Sequence, residues 1–322
     1  MSGQPQGRCA KTKENHRASK RPAANRNELL TDRPQSLDSA LYFVATPIGT
    51  ARDITLRALD ILATADILAA EDTRNTRRLM DIHGIALNGR PLIAYHDHNG
   101  PAQRPRLIRA LHEGKSVAYV SDAGTPLIAD PGFALAREAI AEGLEVRTAP
   151  GASALLAALS VAGLPTDQFF FAGFLPTKTN ARRNALATLL EVPGTLVFFE
   201  SGKRIGKSLG NMCELFGGDR HAAVCRELTK RFEEVRRGRL GDLAAEYDGA
   251  SPKGEIVVLV GPAPERAADP GALDQALTAA LHDSASLRDA VDQVAAALGL
   301  PRKAVYARAL EMGRAEEKGT KR

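Results

Sequence analysis

Val-Ser-Asp-Ala-Gly-Thr-Pro-Leu-Ile-Ala-Asp-Pro-Gly, residues 120–132, is the stretch on which the reading of this chain turns. It follows a short apolar run, Val117 to Val120, and precedes a helical pattern from Phe133 to Glu142. Glycine lets a backbone come close to a ligand, and proline sets the shape of a loop in advance. In an open α/β sheet, ligands bind at the carboxyl ends of the strands, where such a loop would stand. A single Asp-Pro-Gly is an ordinary turn; a strand-to-helix loop this long and this restricted points to a binding site.

Outward from that loop, strand and helix patterns alternate. Leu41–Val44, Ile67–Ala70, Leu92–Tyr95, Val117–Val120 and Glu145–Arg147 read as strands. Between and after them come helices over Ile54–Ala63 (Asp53 as N-cap), Thr76–His83, Arg104–Glu113, Phe133–Glu142 and Ser153–Val161. The alternation predicts an α/β fold, a mostly parallel sheet with helices on both faces. A boundary is expected near Gly163-Leu-Pro-Thr166. A second unit then runs through strands at Phe169–Phe171, Thr195–Phe199, Ala222–Cys225 and Ile256–Val260, with helices near Arg182–Leu190 and Ile205–Phe216. After a Pro/Ala-rich linker at 262–270, Ala272–Leu281, Leu287–Leu298 and Arg302–Glu311 are helical. The last two are joined by Gly299-Leu-Pro301, as in a helix-turn-helix or a plain helical hairpin. The expected division is 1–38 tail, 39–164 first α/β domain, 165–262 second α/β domain and 271–313 helical appendage.

Composition narrows the classes. The 322 residues are 44% hydrophobic, enough for two cores. No apolar run approaches the ~18 residues of a membrane span, and no signal peptide is evident. Cys9, Cys213 and Cys225 are too dispersed for a zinc knuckle or a disulfide framework, which favours a reducing cytoplasm. The net charge is +5, and residues 1–38 hold eight Lys or Arg against four Asp or Glu with little apolar periodicity. That segment reads as a disordered basic tail, able to add non-specific phosphate affinity or to serve as a solvated extension.

Three familiar signatures fail. Gly202-Lys-Arg-Ile-Gly206-Lys207-Ser208 has three residues between its glycines where a phosphate-binding P-loop needs four. No GxGxxG follows a strand, so a dinucleotide fold has no support. His96-Asp-His98 lacks a third ligand at a clear spacing, so no metal is expected. What remains is a series of polar, glycine-rich loops at strand ends: Thr46–Gly49, Glu71–Arg74, His96–Asn99, Ser121–Gly132, Ala149–Ser153, Glu200–Lys203, Arg226–Lys230 and Ser251–Glu255. Their recurrence describes a cleft between two domains.

The segments FVATPIG (43–49), AAEDTR (69–74), YHDHN (95–99), SDAGTPLIADPG (121–132), PGASALLAAL (150–159), FFES (198–201), RELTK (226–230) and KGE (253–255) together resemble the ribosomal RNA small subunit methyltransferase I family. That family is a branch of the tetrapyrrole-methylase-like, class III methyltransferases. The resemblance runs from residue 41 to about 260 and more weakly through the helical tail, without departures inside the motifs. It implies two αβα domains clasping S-adenosyl-L-methionine, a homodimer, and 2′-O-methylation of a cytidine in the decoding region of small-subunit ribosomal RNA. Carried onto this chain, it places the cofactor against Pro47, Gly49, Ala123, Gly124, Pro126, Ile128, Ser153, Ala154, Phe199, Arg226, Leu228 and Ile256. Asp122 and Asp130 would hold the long loop or bind the cofactor's amino group.

The chemistry asks for alignment and a proton acceptor. Positioning supplies several of the ~7–11 kcal/mol available from orientation, and a tuned base adds ~10²–10⁴-fold. Glu71 and Asp72 end the second strand and Lys253 lies beside Gly254, so these are the candidate catalytic residues; Lys253 serves equally as a phosphate contact. Arg74, Arg77, Arg78, Lys203, Arg204, Lys207, Lys230, Arg231, Arg236 and Arg237 are candidates for RNA contact. With five tyrosines and no tryptophan, recognition by backbone charge and RNA shape is expected rather than a broad stacking platform. An assembled small subunit would suit that. The alternatives are a tetrapyrrole methyltransferase of the same fold, or a non-enzymatic RNA-binding protein.

Overall fold

The computed structural model describes residues 36–96, 98–128, 132–263, 270–283, 286–298, 300 and 302–319. The expected basic tail lies outside them up to residue 35, as do Asp130 and most of the Pro/Ala linker.

The first unit is a five-stranded parallel sheet. Its strands are β1 (Leu41–Val44), β2 (Ile67–Ala70), β3 (Leu92–Ala94), β4 (Val117–Val120) and β5 (Val146–Ala149), in the order β3-β2-β4-β1-β5. β1, β2 and β4 are buried along their whole length, as their unbroken apolar runs require of strands covered on both faces. Helices α1 (Leu56–Thr64) and α2 (Thr73–Ile82) cover one face through Ala58, Ile61, Leu62 and Met80. Helices α3 (Gly100–His112) and α4 (Phe133–Ala141) cover the other through Leu107, Ile108, Leu111, Leu135 and Ala139.

Helix starts differ from expectation for local reasons. Thr55, not Asp53, caps α1: its Oγ1 accepts from the Ala58 N–H at 3.2 Å, and Ala51–Asp53 forms a separate 3-10 turn. Asp72 caps α2 by accepting from the Arg74 N–H, which starts that helix three residues early. α3 begins at Gly100, ahead of the expected Arg104, because Pro101 sits in its first turn, where the missing N–H costs nothing.

The sheet of the second unit is mixed. Its strands β6 (Phe169–Phe174), β7 (Thr195–Ser201), β8 (His221–Arg226), β9 (Glu234–Arg239) and β10 (Glu255–Val260) run in the order β6-β7-β10-β8-β9. Only β6 and β7 pair in parallel; the other three pairings are antiparallel. β9 is the reason. Its sequence, Glu-Val-Arg-Arg-Gly-Arg, carries no apolar alternation and gives no strand signal, yet it forms a hairpin with β8 and charges the sheet edge. The outer face is covered by α6 (Thr179–Ala187), α7 (Ile205–Phe216) and α8 (Leu240–Glu246), the last also unread from sequence.

The inner face of this second sheet is covered by α5 (Ala154–Ala162), which follows the first sheet in the chain. Its Leu155, Ala158, Leu159 and Ala162 pack on Val197, Ala223, Cys225, Val257 and Leu259, together with Ile48 from the first unit. Ser153 caps its start and Gly163, at φ 72°, ends it. Beyond the linker, α9 (Pro270–Asp283), α10 (Leu287–Leu298) and α11 (Arg302–Gly319) share a separate small core around Leu277, Ala290, Val291 and Val305. Among the described residues no helix is long and apolar enough to cross a membrane.

Leu159 is 6% exposed between the two sheets' elements. Leu159→Ala is expected to lower unfolding free energy by ~2–5 kcal/mol, the cost of a buried leucine truncation. Urea unfolding followed by far-ultraviolet dichroism measures it.

Candidate active site

In the first sheet, the connection from β1 leads toward β2 and that from β4 leads toward β5, so the two central strands send their chains to opposite sides. Their carboxyl ends form the crevice where such sheets bind ligands. The loops there are stitched together. Thr46 and Gly124 exchange two main-chain hydrogen bonds of 3.0 Å, and the Thr46 Oγ1 donates to the Ser121 carbonyl at 3.2 Å. The Thr125 hydroxyl donates to the Ala152 carbonyl at 3.0 Å, tying in the loop before α5. Leu127 takes a left-handed conformation at φ 71°, an unusual state for a leucine and one that marks a constrained loop.

A third loop is clamped from β2. The Asp122 N–H donates to Glu71 Oε2 at 3.1 Å, and the Asp72 N–H donates back to Asp122 Oδ1 at 3.1 Å. Asp72 also receives the Arg74 guanidinium at 2.6 Å. That bond, with main-chain N–H groups, holds its carboxyl down to about 2. Asp72 is thus a fixed anion and helix cap.

The second unit contributes the loop between β8 and β9. Glu227 and Thr229 are left-handed at φ 50° and 64°. The Thr50 N–H donates to Thr229 Oγ1 at 3.2 Å. A methyl group on Gly49 would lie 2.4 Å from that oxygen and 2.6 Å from Lys230 Cγ, so only glycine permits this approach. Lys230 Nζ donates to Glu227 Oε1 and Glu255 Oε2, both at 2.9 Å. Burial opposes the Lys230 charge, but the two carboxylates outweigh it and raise its pKa. Glu227 is lowered, chiefly by its bond from Lys230. Glu227 Oε1 also accepts the Glu255 N–H at 3.0 Å and fixes the wall at Gly254–Glu255.

Between these loops lies a cavity of about 390 Å³. Of the expected cofactor residues, Asp122, Ala123, Gly124, Ile128, Ser153, Ala154, Phe199, Leu228 and Ile256 line it. Pro47 and Gly49 line instead an adjoining hollow of about 450 Å³, which shares Ile48, Asp122, Ala123 and Glu255 with the first. Pro126 is buried and lines neither. Arg226 faces a third cleft, of about 520 Å³, and pairs with Glu234 at 3.0 Å. Lys253 lines that same third cleft, and its carbonyl accepts from Arg226. Glu71 lines the 390 Å³ cavity.

The cavity also takes residues outside the expected cofactor set. Phe174 stands 5.6 Å from Phe199, edge to face, at the end of an Phe-rich strand with no motif signal. Glu200 is buried in the FFES segment and accepts from Ser208 at 2.5 Å and from the Ser201 N–H at 2.8 Å. Cys225, whose thiol burial pushes up to about 11, and Glu255 also contribute. Among the described residues no group of three or more His, Cys, Asp or Glu could hold a metal.

The basic candidates separate by partner. Arg78 and Lys230 line the adjoining hollow. Arg77, Lys203, Lys207 and Arg231 are exposed, Arg231 standing 5.5 Å over the Phe232 ring. Arg204 turns inward, bonding the Leu175 carbonyl and approaching the buried Glu200. Arg236 pairs with Glu234 and Glu246, and Arg237 donates to the Val161 carbonyl at 3.0 Å.

Comparison with known proteins agrees with this architecture. The family model for tetrapyrrole (corrin/porphyrin) methylases matches residues 40–244, and one for the RsmI C-terminal HTH domain matches 267–313. The fold is shared with the methyltransferase CobJ (TM-score 0.54, 21% identity, 70% of this chain and 94% of that one). Cobalt precorrin-4 methyltransferase is similar at TM-score 0.51 and 19% identity, over 69% and 95% of the two chains. Fold and site therefore define a methyltransferase of the tetrapyrrole-methylase class. Relatives in sequence narrow this further. A ribosomal RNA small subunit methyltransferase I from Mesorhizobium japonicum is 52% identical over 86% of this chain and 93% of its own length. One from Escherichia coli O157:H7 is 42% identical over 86% and 98%. The chain belongs to the ribosomal RNA small subunit methyltransferase I family.

The Lys230 interlock sets a pH dependence. Glu227's depressed pKa gives stability that is present above the unfolded carboxylate value of ~4.3 and lost as pH falls through the lower folded value. Lys230's raised pKa gives stability present below ~10.4 and lost as pH rises through the higher folded value. The Tm difference between wild type and Lys230→Met should stay constant from about pH 6 to 9 and close below about pH 4, as scanning calorimetry would read. A gap that persists in acid would mean the ion pairs contribute nothing.

Proposed function

We propose that the protein transfers a methyl group from S-adenosyl-L-methionine to the ribose 2′-oxygen of a cytidine in the decoding region of small-subunit ribosomal RNA. It acts on the assembled small subunit, in the cytoplasm, as a homodimer. The observation that carries this reading is the cavity at the β1–β4 switch point, which adjoins a second hollow edged by Arg78 and Lys230. The relatives, ribosomal RNA small subunit methyltransferases by name, supply the substrate class.

The cavity fits the cofactor. A sulfonium and an ammonium are cations, and Glu71, Asp122 and Glu255 line the space with carboxylates. Phe174 and Phe199 offer ring faces and edges to a desolvated cation and to an adenine. When bound, the cofactor supplies an electrophilic methyl group: its C–S bond breaks as the C–O bond to the ribose forms, and the hydroxyl proton leaves to a base. The chain's part is to align the oxygen and take the proton. Of the three candidates, Glu71 is the one on the cofactor cavity. Asp72, held at about 2, is a weak acceptor and serves to fix Asp122 and α2. Lys253, in the third cleft beside Arg226, suits an RNA phosphate.

Exposed phenylalanines on the edge strand β6, Phe169 and Phe170, at 43% and 44%, support self-association. Sedimentation should give twice the chain mass.

Incubation with methyl-labelled S-adenosyl-L-methionine should label small ribosomal subunits and leave tetrapyrroles unlabelled. Label on a tetrapyrrole would select the rival substrate, and label on neither, with no heat of cofactor binding, would reduce the protein to an RNA binder. Glu71→Gln should slow single-turnover transfer by ~10²–10⁴-fold, the usual worth of a positioned base. Lys253→Met should raise the KM for subunits with little change in turnover. The reverse pattern would exchange the two roles.

A further inference from the structure

We infer that the hollow beside the cofactor cavity seats the acceptor nucleoside with its base drawn out of the RNA stack, and that Asn75 reads that base; this rests on the RNA reading above. The two spaces share a partition of Ile48, Asp122, Ala123 and Glu255. Whatever reaches the methyl group from the second space must put its reacting atom at that partition. For a nucleoside the ribose stands there, and the base extends away from it along α2.

The walls along α2 suit a base. Leu79 and Ile82 line the hollow, and Ile82 is 56% exposed although it is a large apolar side chain on a helix with a buried face. An uncovered isoleucine inside a polar-edged hollow offers a surface to the flat face of a ring. Asn75 lines the same space, is exposed, and its side-chain amide bonds to none of the described residues. An amide presents one donor and one acceptor side by side, which matches the adjacent donor and acceptor on a base's Watson–Crick edge. That edge is available only when the base is unpaired. Arg78 and Lys230 sit where backbone phosphates of a splayed nucleotide would pass.

The partition lies between the two units, bounded by Gly49 against Thr229 on one side and by the clamped Asp122 loop on the other. A nucleoside seated between these two sets of loops, with its base along α2, has left the stack of its neighbours, as in enzymes that extrude a target nucleotide.

The test uses small subunits carrying 5-iodocytidine at the acceptor position. They are irradiated in complex with the full-length protein and S-adenosylhomocysteine, and the cross-linked peptide is identified by mass spectrometry. Attachment within 75–82 is expected; attachment elsewhere, with subunits that the protein methylates, overturns the inference. Independently, Asn75→Ala should lower kcat/KM for small subunits about tenfold through KM, the loss for one base-edge contact. Its Tm and its affinity for S-adenosyl-L-methionine should be unchanged. An unchanged kcat/KM also overturns the inference. If the wild-type protein methylates no subunit, the RNA reading itself fails and the inference falls with it, a result distinct from methylation without the cross-link.

Discussion

Two main-chain hydrogen bonds between Thr46 and Gly124 are the constraint from which the site follows. They join the loops after the two central strands at the one place where the parallel sheet sends its chain in opposite directions. Because they are backbone bonds, they ask little of side-chain identity beyond the Gly124 conformation, at φ 81°. Everything around them is then adjusted to that fixed pair. Ser121 and Thr46 satisfy the turn internally, Thr125 ties it to α5, and Glu71 with Asp72 fastens Asp122 from the neighbouring strand. A binding wall assembled this way is set before any ligand arrives, so little conformational freedom is lost on binding.

The second unit meets this wall through a loop that carries its own strain. Glu227 and Thr229 both occupy left-handed backbone, a state costing of order 1–3 kcal/mol each, and their neighbours hold them there. The strain aims Thr229 at the Gly49 backbone and Glu227 at the Gly254–Glu255 wall. Lys230 bridges the two carboxylates at the point where both spaces meet. An incoming phosphate would compete with Glu227 and Glu255 for that ammonium, so charge on the substrate and the closure of the two units act on the same atoms.

Much of this was legible in the sequence. The centre of the first sheet was readable strand by strand because β1, β2 and β4 are buried on both faces and therefore continuously apolar. The cavity wall was readable in part from SDAGTPLIADPG, RELTK and FFES, segments that each supply residues lining it. What was hidden lay where the physical signal is absent or nonlocal. β9 pairs through its backbone while showing arginines to solvent, so nothing in its side chains announces a strand. Phe174 reaches the cavity only through the β6–β7 register. Arg226 and Lys253 sit next to cavity residues in sequence, but alternation along β8 and the turn at Gly254 send them to a neighbouring cleft.

The placement of α5 bears on how the chain could be divided. The linker at 163–166 separates two sheets but not two cores, since the helix before it supplies the cover for the sheet after it. A fragment ending there would carry a helix with a bare apolar face. A fragment starting there would open Val197, Ala223, Val257 and Leu259 to water. The halves are therefore suited to reassociate noncovalently when made as two polypeptides, and poorly suited to persist apart. Synthesis order has the same bearing: the first unit emerges with α5 in hand, and that helix stays without its partner surface until β10, the central strand of the second sheet, has left the ribosome.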